Sequence, residues 1–272
     1  MMRLLHWVLA PQSSLPKDFP DEWGTPPPRY DDRVGDAAFS ILYSDIGPEF
    51  YQRTGTLPGR NDGWLAQRAS TTVWDISSLE KGACLDATST ETSWRWFTNQ
   101  DMDNIWELDT QQMKADLSVY PFTETEDAAF AMHPGNGVAD YQIQRLEVYW
   151  TKVQPPLLYW GLVHSPSKDA DQSPLTTFAA WTVEYRPPTA NTLTITRLRA
   201  TEATFKSLMS RVISYAAQHG ISKVVIWNLD QSLSNLASEM GAQTFDRTEN
   251  LPSFKWYGAE RGSRVTWAFN EK

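Results

Sequence analysis

Five apolar residues in six positions, Ala37, Ala38, Phe39, Ile41 and Leu42, are interrupted only by Ser40. This pattern predicts a strand over 37–43 that is buried on both faces, as in a parallel sheet covered by helices. Ser44, Asp45 and Gly47 end that strand, and Pro48 suits the first turn of a helix that carries Glu49 near its N-terminus. Phe50 and Tyr51 then fall in the first turn, beside the carboxyl end of the strand, where open α/β sheets place their ligands.

The rest of the chain divides by period and punctuation. Met1, Leu4, Leu5, Val8 and Leu9 make an amphipathic helical stripe that Pro11 stops. Pro16, Pro20, Pro26, Pro27 and Pro28 forbid regular structure over 11–33. Residues 55–62 form a polar turn leading to Gly63 and Trp64, and 70–97 read as strands or extended segments. Ile105, Leu108, Met113 and Leu117 predict a helix over 98–117, with Asp101 and Asp103 in its first turn. HPGNG at 133–137 is a turn-rich loop, and 141–152 fits a helix or an alternating strand almost equally. Residues 157–164 and 177–185 read as strands joined by a polar hairpin loop at 165–173, with Pro187 and Pro188 closing the second.

The last third is the clearest. A strand over 192–198 leads to a helix capped by Thr201 or Thr204, whose stripe is Phe205, Leu208, Met209, Val212, Ile213 and Ala216. Gly220 ends it, and 223–229 reads as a buried strand. Ser232 caps a short helix ended by Gly241, and a strand over 265–269 is expected to complete the sheet.

Composition narrows the class. The 272 residues allow one large domain or two small ones, and the net charge of -9 argues against nucleic acid or anionic membrane as a main partner. The single cysteine, Cys84, excludes an intramolecular disulfide and a cysteine-based zinc site and suits a reducing compartment. No run approaches the ~18 apolar residues of a membrane span. The opening stretch 4–10 contains His6 and Trp7 and lacks a cleavage site, unlike a signal peptide. A soluble, cytoplasmic protein is expected. The chain has neither an HExxH pair nor a GxSxG elbow, so metal binding and serine hydrolase chemistry are not expected.

MMRLLHWVLA, ILYSDIGPEFYQRTG, the Gly63–Trp64 pair and the strand–helix order of the last third together resemble the fungal lysine N-acetyltransferase family. The resemblance implies an α/β (α+β) GNAT-like fold, a mixed sheet flanked by helices, with two modules in tandem. Residues 1–97 would be the C-terminal part of an acetyl-CoA-binding GNAT domain, and 98–272 a GNAT-like C-terminal domain that helps shape the substrate site. The pyrophosphate loop of such enzymes, RxxGxG or RxxGxA, would directly precede MMRLLHWVLA and does not occur in this sequence. GTLPGRNDG at 55–63 does not follow a buried strand and open a helix, and RLRATEAT at 197–204 has no glycine, so neither replaces it. The resemblance thus implies a truncated copy with impaired acetyl-CoA binding. The alternative is a non-catalytic GNAT-like module that binds a small molecule or a protein.

The same resemblance assigns roles. Tyr51 would protonate the departing CoA sulfur, while Ser44, Ile46, Gly47 and Phe50 would border the pantetheine arm or acetyl group. The implied acceptor is free lysine or a similar small amine. From the residues themselves, Asp45 either attracts the amine or caps the following helix. Trp64 and Trp181 either line a pocket or pack a core, and Arg145 and Arg197 either receive a substrate carboxylate or form ion pairs. A monomer or weak self-association through an exposed sheet edge is expected.

Overall fold

The computed structural model describes residues 2–28, 35–57, 59, 61–78, 93–122, 128–135, 137–150, 153, 155–164, 175–185, 188–257 and 265–269, without the side chains of 146–150. Cys84, Asn136, the loop at 165–173 and Pro187 lie outside the described residues. The elements in order are α1 (Met2–Leu9), β1 (Phe39–Ser44), α2 (Pro48–Gln52), β2 (Leu65–Ala66), β3 (Ser70–Asp75), β4 (Trp94–Phe97), α3 (Met102–Ser118), β5 (Ala128–Phe130) and α4 (Val138–Trp150). They continue with β6 (Gly161–His164), β7 (Phe178–Glu184), β8 (Thr192–Arg199), α5 (Glu202–Gln218), β9 (Lys223–Trp227), α6 (Ser234–Glu239), β10 (Gln243–Asp246), β11 (Leu251–Trp256) and β12 (Val265–Trp267). Among the described residues no helix is long and apolar enough to cross a membrane.

The chain forms two compact units. One comprises Met1–Ala69, Phe122–Ala129 and Asp246–Thr266, the other Ser70–Pro121, Phe130–Phe245 and Trp267–Lys272. In the first unit, β1, β11 and β2 form a three-stranded sheet in that order. β1 is not the doubly buried parallel strand its apolar run predicts. It pairs antiparallel with β11, Phe39 opposite Trp256 and Ser44 opposite Leu251, and only Ser44 of its residues is fully buried. An edge position explains this, since a sheet edge offers neighbours on one side only. α1 forms where its stripe predicts, but its buried residues are His6 and Trp7, while Leu5 is exposed.

The second unit is built on a seven-stranded sheet of order β10-β3-β9-β8-β7-β6-β4. β8 and β9 run parallel, whereas β3–β9, β8–β7, β7–β6 and β6–β4 run antiparallel, so the sheet is mixed. β3 and β4, which the sequence places in the 1–97 module, are hydrogen-bonded into this same sheet. Leu193 and Ile195 on β8 and Val224 and Ile226 on β9 are buried, and α5 covers the sheet with the six-residue stripe read from the sequence. Each such side chain is worth about 1.5–3 kcal/mol when fully buried. Thr201 is the N-cap of α5 in a capping box with Thr204. α6 departs slightly from expectation. Ser232 lies inside a short 3-10 turn, Gln231–Leu233, that leads into α6; Asp230 caps that turn, accepting from the Ser232 amide at 2.8 Å, and α6 itself has no side-chain cap.

Three further expectations change. The stretch 138–150 is a helix, which settles the ambiguity at 141–152. The final strand, β12, pairs with β5 in a separate two-stranded sheet and does not complete the main one. The buried face of α3 runs through Met102, Ile105, Trp106, Asp109 and Met113, with Asp109 in the middle of an otherwise apolar surface.

Candidate functional site

The strand-to-helix joint of the first unit places the residues of SDIGPEFYQ together. Ser44 Oγ accepts from the Ile46 amide at 3.2 Å and donates to the Gly47 carbonyl at 3.1 Å, which fixes a tight turn at the end of β1. Gly47 has φ +84°, and a side chain added there would meet nothing within 4 Å, so the turn needs glycine for its backbone and leaves open space beside it. Pro48 opens α2 and Glu49 lies in its first turn. Ile46 and Phe50 are exposed beside the opening, and Phe50 packs edge-on against Tyr51 at 5.0 Å.

Tyr51 is half-buried, and the backbone holds its position. Its carbonyl accepts from the Thr54 amide and, at 3.2 Å, from the Trp64 amide. Gly63 must be glycine, because a Cβ there would stand 2.1 Å from the Tyr51 carbonyl oxygen. Gly55 is likewise closed, with Asp62 against it. These two glycines of GTLPGRNDG serve close packing and form no phosphate cradle.

A buried polar chain lies behind this joint. His6 Nε2 is 2.6 Å from the Thr54 carbonyl, which can only accept, so Nε2 carries the proton. Nδ1 therefore accepts, at 2.7 Å, from the Tyr257 hydroxyl, and that hydroxyl accepts from Ser40 at 2.9 Å. His6 stacks on Trp64, ring centres 4.1 Å apart, and Trp64 meets Tyr51 edge-on at 6.3 Å. Burial pulls the His6 pKa down to about 4 and pushes Tyr257 up to about 12, so both are neutral near pH 7. With both ring nitrogens engaged, His6 is a poor proton acceptor for chemistry and a good anchor for the Thr54 turn. Lys255, whose pKa burial lowers, bonds the Asp62 carbonyl and sits 3.7 Å from its carboxylate.

The other sequence candidates go elsewhere. Asp45 is exposed and accepts from the Asn250 amide at 2.9 Å, so it ties β1 to β11 and gives α2 no side-chain cap. Trp64 is fully buried in the first unit. Trp181 is buried in the second, where its Nε1 donates to the Tyr159 carbonyl at 3.2 Å. Arg145 is exposed on α4. Arg197 is buried, and its guanidinium donates twice to Asp109, at 2.7 and 3.1 Å. His6, Ser40, Thr54, Tyr257 and Lys255 escaped the sequence reading because they come together from segments up to 251 positions apart.

The second unit also has a strand-to-helix joint, between β8 and α5. β8 and β9 pair in parallel from Thr192–Lys223 to Ile195–Ile226, and β8 continues to Arg199 after the pairing stops. A cavity of about 380 Å³ lies where the strands part, bordered by Arg197, Arg199, Asn228, Asp230 and Phe269. Phe269 packs on the Arg197 guanidinium at 4.6 Å.

Residues 80–272 match the model of the LYC1 GNAT-like C-terminal domain family. The chain belongs to that family. Its mixed α/β sheet flanked by helices is the GNAT-like fold that the family description names. No curated protein sequence matches the chain. Among solved structures it is similar to a GCN5-related N-acetyltransferase from Anabaena variabilis, at 16% identity over 82% of this chain and 47% of that one, with a TM-score of 0.45. A probable N-acyltransferase from Enterococcus faecalis shows 10% identity over 83% and 47%, with a TM-score of 0.46. A GCN5-related N-acetyltransferase from Kribbella flavida shows 12% identity over 81% and 43%, with a TM-score of 0.44. The chain spans less than half the length of each of these three.

Proposed function

We propose that the chain is part of an acetyl-CoA-dependent N-acetyltransferase that acetylates free lysine or a similar small amine. In this reading the first unit carries the catalytic end, and the second unit, with β3 and β4 in its sheet, is the GNAT-like module. The observation that carries it is the joint itself: an open glycine turn at the end of β1, with the Tyr51 backbone clamped by Gly63 and Trp64 one turn into the next helix. The family's GNAT-like fold supports it.

The residues present suit one end of acetyl-CoA. Ser44, Ile46, Gly47 and Phe50 offer a turn with open space and exposed apolar side chains for a pantetheine arm. The described residues of the first unit include no glycine-rich strand-to-helix turn for a pyrophosphate, since Gly55 and Gly63 are filled by neighbouring atoms. Acetyl-CoA, when bound, supplies the acetyl group and leaves as a thiol. The Tyr51 hydroxyl would give its proton to the sulfur as the carbon–sulfur bond breaks and the amine nitrogen bonds to the acetyl carbon. A free lysine amine has a pKa near 10.4, so it must lose a proton before attack. Asp45, exposed beside the turn, supplies negative charge that would draw an ammonium group toward the opening.

The test measures thiol release and N-acetyl-lysine formation with the full chain, alongside acetyl-CoA binding by calorimetry. Tyr51→Phe should lower kcat by about a hundredfold, within the range of general acid catalysis, and leave acetyl-CoA affinity unchanged. Weak acetyl-CoA binding by this chain alone fits the missing pyrophosphate loop; no acetyl-CoA binding and no acetylation of any small amine by a folded longer form that carries an upstream RxxGxG or RxxGxA loop would sink the reading.

A further inference from the structure

Trp64 is 1% exposed, yet its indole nitrogen is buried without a hydrogen-bond partner among the described residues. A buried N–H left unpaired carries a desolvation penalty, which an apolar side chain filling the same space would not carry. The contacts of the indole supply the reason for it. It stacks on His6 at 4.1 Å and 27°, and the Tyr51 ring meets it edge-on at 6.3 Å and 82°. His6 in turn cannot yield, since Thr54 and Tyr257 hold both of its nitrogens, at 2.6 and 2.7 Å.

We propose that Trp64 is a positioning residue for Tyr51, and that the row of rings His6–Trp64–Tyr51 sets where the Tyr51 hydroxyl is presented. The inference rests on the acetyl-transfer reading, in which that hydroxyl gives up its proton. Among the described residues the hydroxyl makes no hydrogen bond of its own, so ring contacts decide its place. Two aromatic rings touch Tyr51 there, Phe50 at 5.0 Å and Trp64. Phe50 is 48% exposed and can give way toward solvent, whereas Trp64 is a wall that cannot.

The same short segment holds the backbone and the ring of Tyr51. The Gly63 amide donates to the Gln52 carbonyl at 2.9 Å, and the Trp64 amide to the Tyr51 carbonyl at 3.2 Å. A fixed backbone alone leaves a tyrosine several staggered side-chain positions, and a rigid ring beside it removes those that would clash. Proton transfer needs donor and acceptor within hydrogen-bond reach, and a misplacement of about 1 Å can cost about a hundredfold in rate. The sequence offers Trp64 as a pocket wall or a core residue. Buried as it is, Trp64 reaches no ligand, so its effect on turnover has to pass through Tyr51. That effect should vanish once the Tyr51 hydroxyl is gone.

The first measurement places 3-fluorotyrosine at position 51 of the full chain and reads it by fluorine NMR. The natural chain should give one sharp resonance, shifted from its unfolded position by the Trp64 ring, and folded Trp64→Leu should lose most of that shift. Trp64→Phe keeps an aromatic ring against Tyr51 and should retain more of it; where Trp64→Leu does not fold, Trp64→Phe carries the comparisons. Gly59→Ala, strained by its φ of +75° but with nothing within 4 Å, should lower stability and leave the resonance in place. The second measurement follows acetylation in the form that turns over, this chain or a longer one with an upstream loop. Trp64→Leu should lower kcat about tenfold, leave the KM for acetyl-CoA unchanged, and add nothing to the loss in Tyr51→Phe. A merely structural role would slow both backgrounds alike. Circular dichroism shows which variants are folded. The proposal is overturned if the resonance of the folded Trp64 variant stays where the natural chain has it, or if turnover falls by the same factor in both backgrounds. If the resonance moves as expected but no form acetylates a small amine, acetyl transfer is the reading that fails, and the placement of Tyr51 by Trp64 stands.

Discussion

Asp109, in the middle of the buried face of α3, accepts two hydrogen bonds from Arg197 on β8, at 2.7 and 3.1 Å. Arg199, two residues along the same strand, reaches the same carboxylate at 3.0 Å and Asp116 at 2.6 Å. One buried carboxylate thus joins two guanidiniums, and Asp116 supplies the second negative charge. Removing the carboxylate leaves a buried cation without its partner, so Asp109→Asn should cost about 3–5 kcal/mol. Asp116 is partly exposed, and Asp116→Asn should cost under about 1 kcal/mol. Urea unfolding of both variants checks the pair. An Asp109→Asn loss as small as that of Asp116→Asn would contradict the buried-charge account.

His6 makes stability depend on pH in a defined window. The unfolded ring takes up a proton as pH falls through 6.5, whereas the folded ring resists until about 4. Between these values the unfolded state binds more protons, so stability falls with falling pH, by on the order of 3 kcal/mol in all. Below about 4 the contribution is level. Asp101, whose carboxylate is held below its usual range mainly by the Thr98 amide, loses its own contribution only at lower pH, so the two effects separate. Urea midpoints at pH 7 and pH 4.5 should differ clearly in the natural chain and hardly at all in His6→Gln. Equal slopes in the two proteins would remove His6 as the cause.

Local signals were legible, and long-range ones were not. The α5 stripe and the strand–helix–strand order of 192–229 follow from local spacing and stand as read, and of the two cap candidates Thr201 is the N-cap, with Thr204 completing its capping box. The apolar run before Ser44 was legible as a strand but not as an edge, because its neighbour β11 lies two hundred residues away. α3 shows a subtler failure. A reading that counts apolar positions turns the buried face toward Leu108 and Leu117 and passes over Asp109, whose burial only Arg197 explains. The joint around Tyr51 was visible in SDIGPEFYQRTG. The His6–Tyr257 chain behind it was not, since no motif links residues that far apart.

Tyr257→Phe tests that chain directly. The hydroxyl donates to His6 Nδ1 and accepts from Ser40, so its loss leaves a buried ring nitrogen without a donor. An unsatisfied buried acceptor costs about 1–3 kcal/mol. The expected outcome is a lowered urea midpoint with an unchanged m-value. A midpoint equal to that of the natural chain would mean that water replaces the hydroxyl without loss.

Gly63→Ala probes how α2 and its Tyr51 are held. The new methyl would stand 2.1 Å from the Tyr51 carbonyl oxygen and 2.9 Å from that of Gln52, both backbone atoms that cannot rotate away. Relief requires the 63–64 backbone to move off α2, which breaks the Trp64 amide bond to Tyr51 and loosens the Trp64 stack on His6. Overpacking of this kind costs about 1–3 kcal/mol. Gly59→Ala is a useful contrast: its φ of +75° makes the change strained, but nothing lies within 4 Å, so α2 is untouched. If the joint transfers acetyl groups, Gly63→Ala should lower kcat at temperatures where the chain stays folded, because a displaced Tyr51 delivers its proton badly, while Gly59→Ala should lower stability alone. Equal activity in the two folded variants would show that the Gly63 contact packs the unit without placing Tyr51.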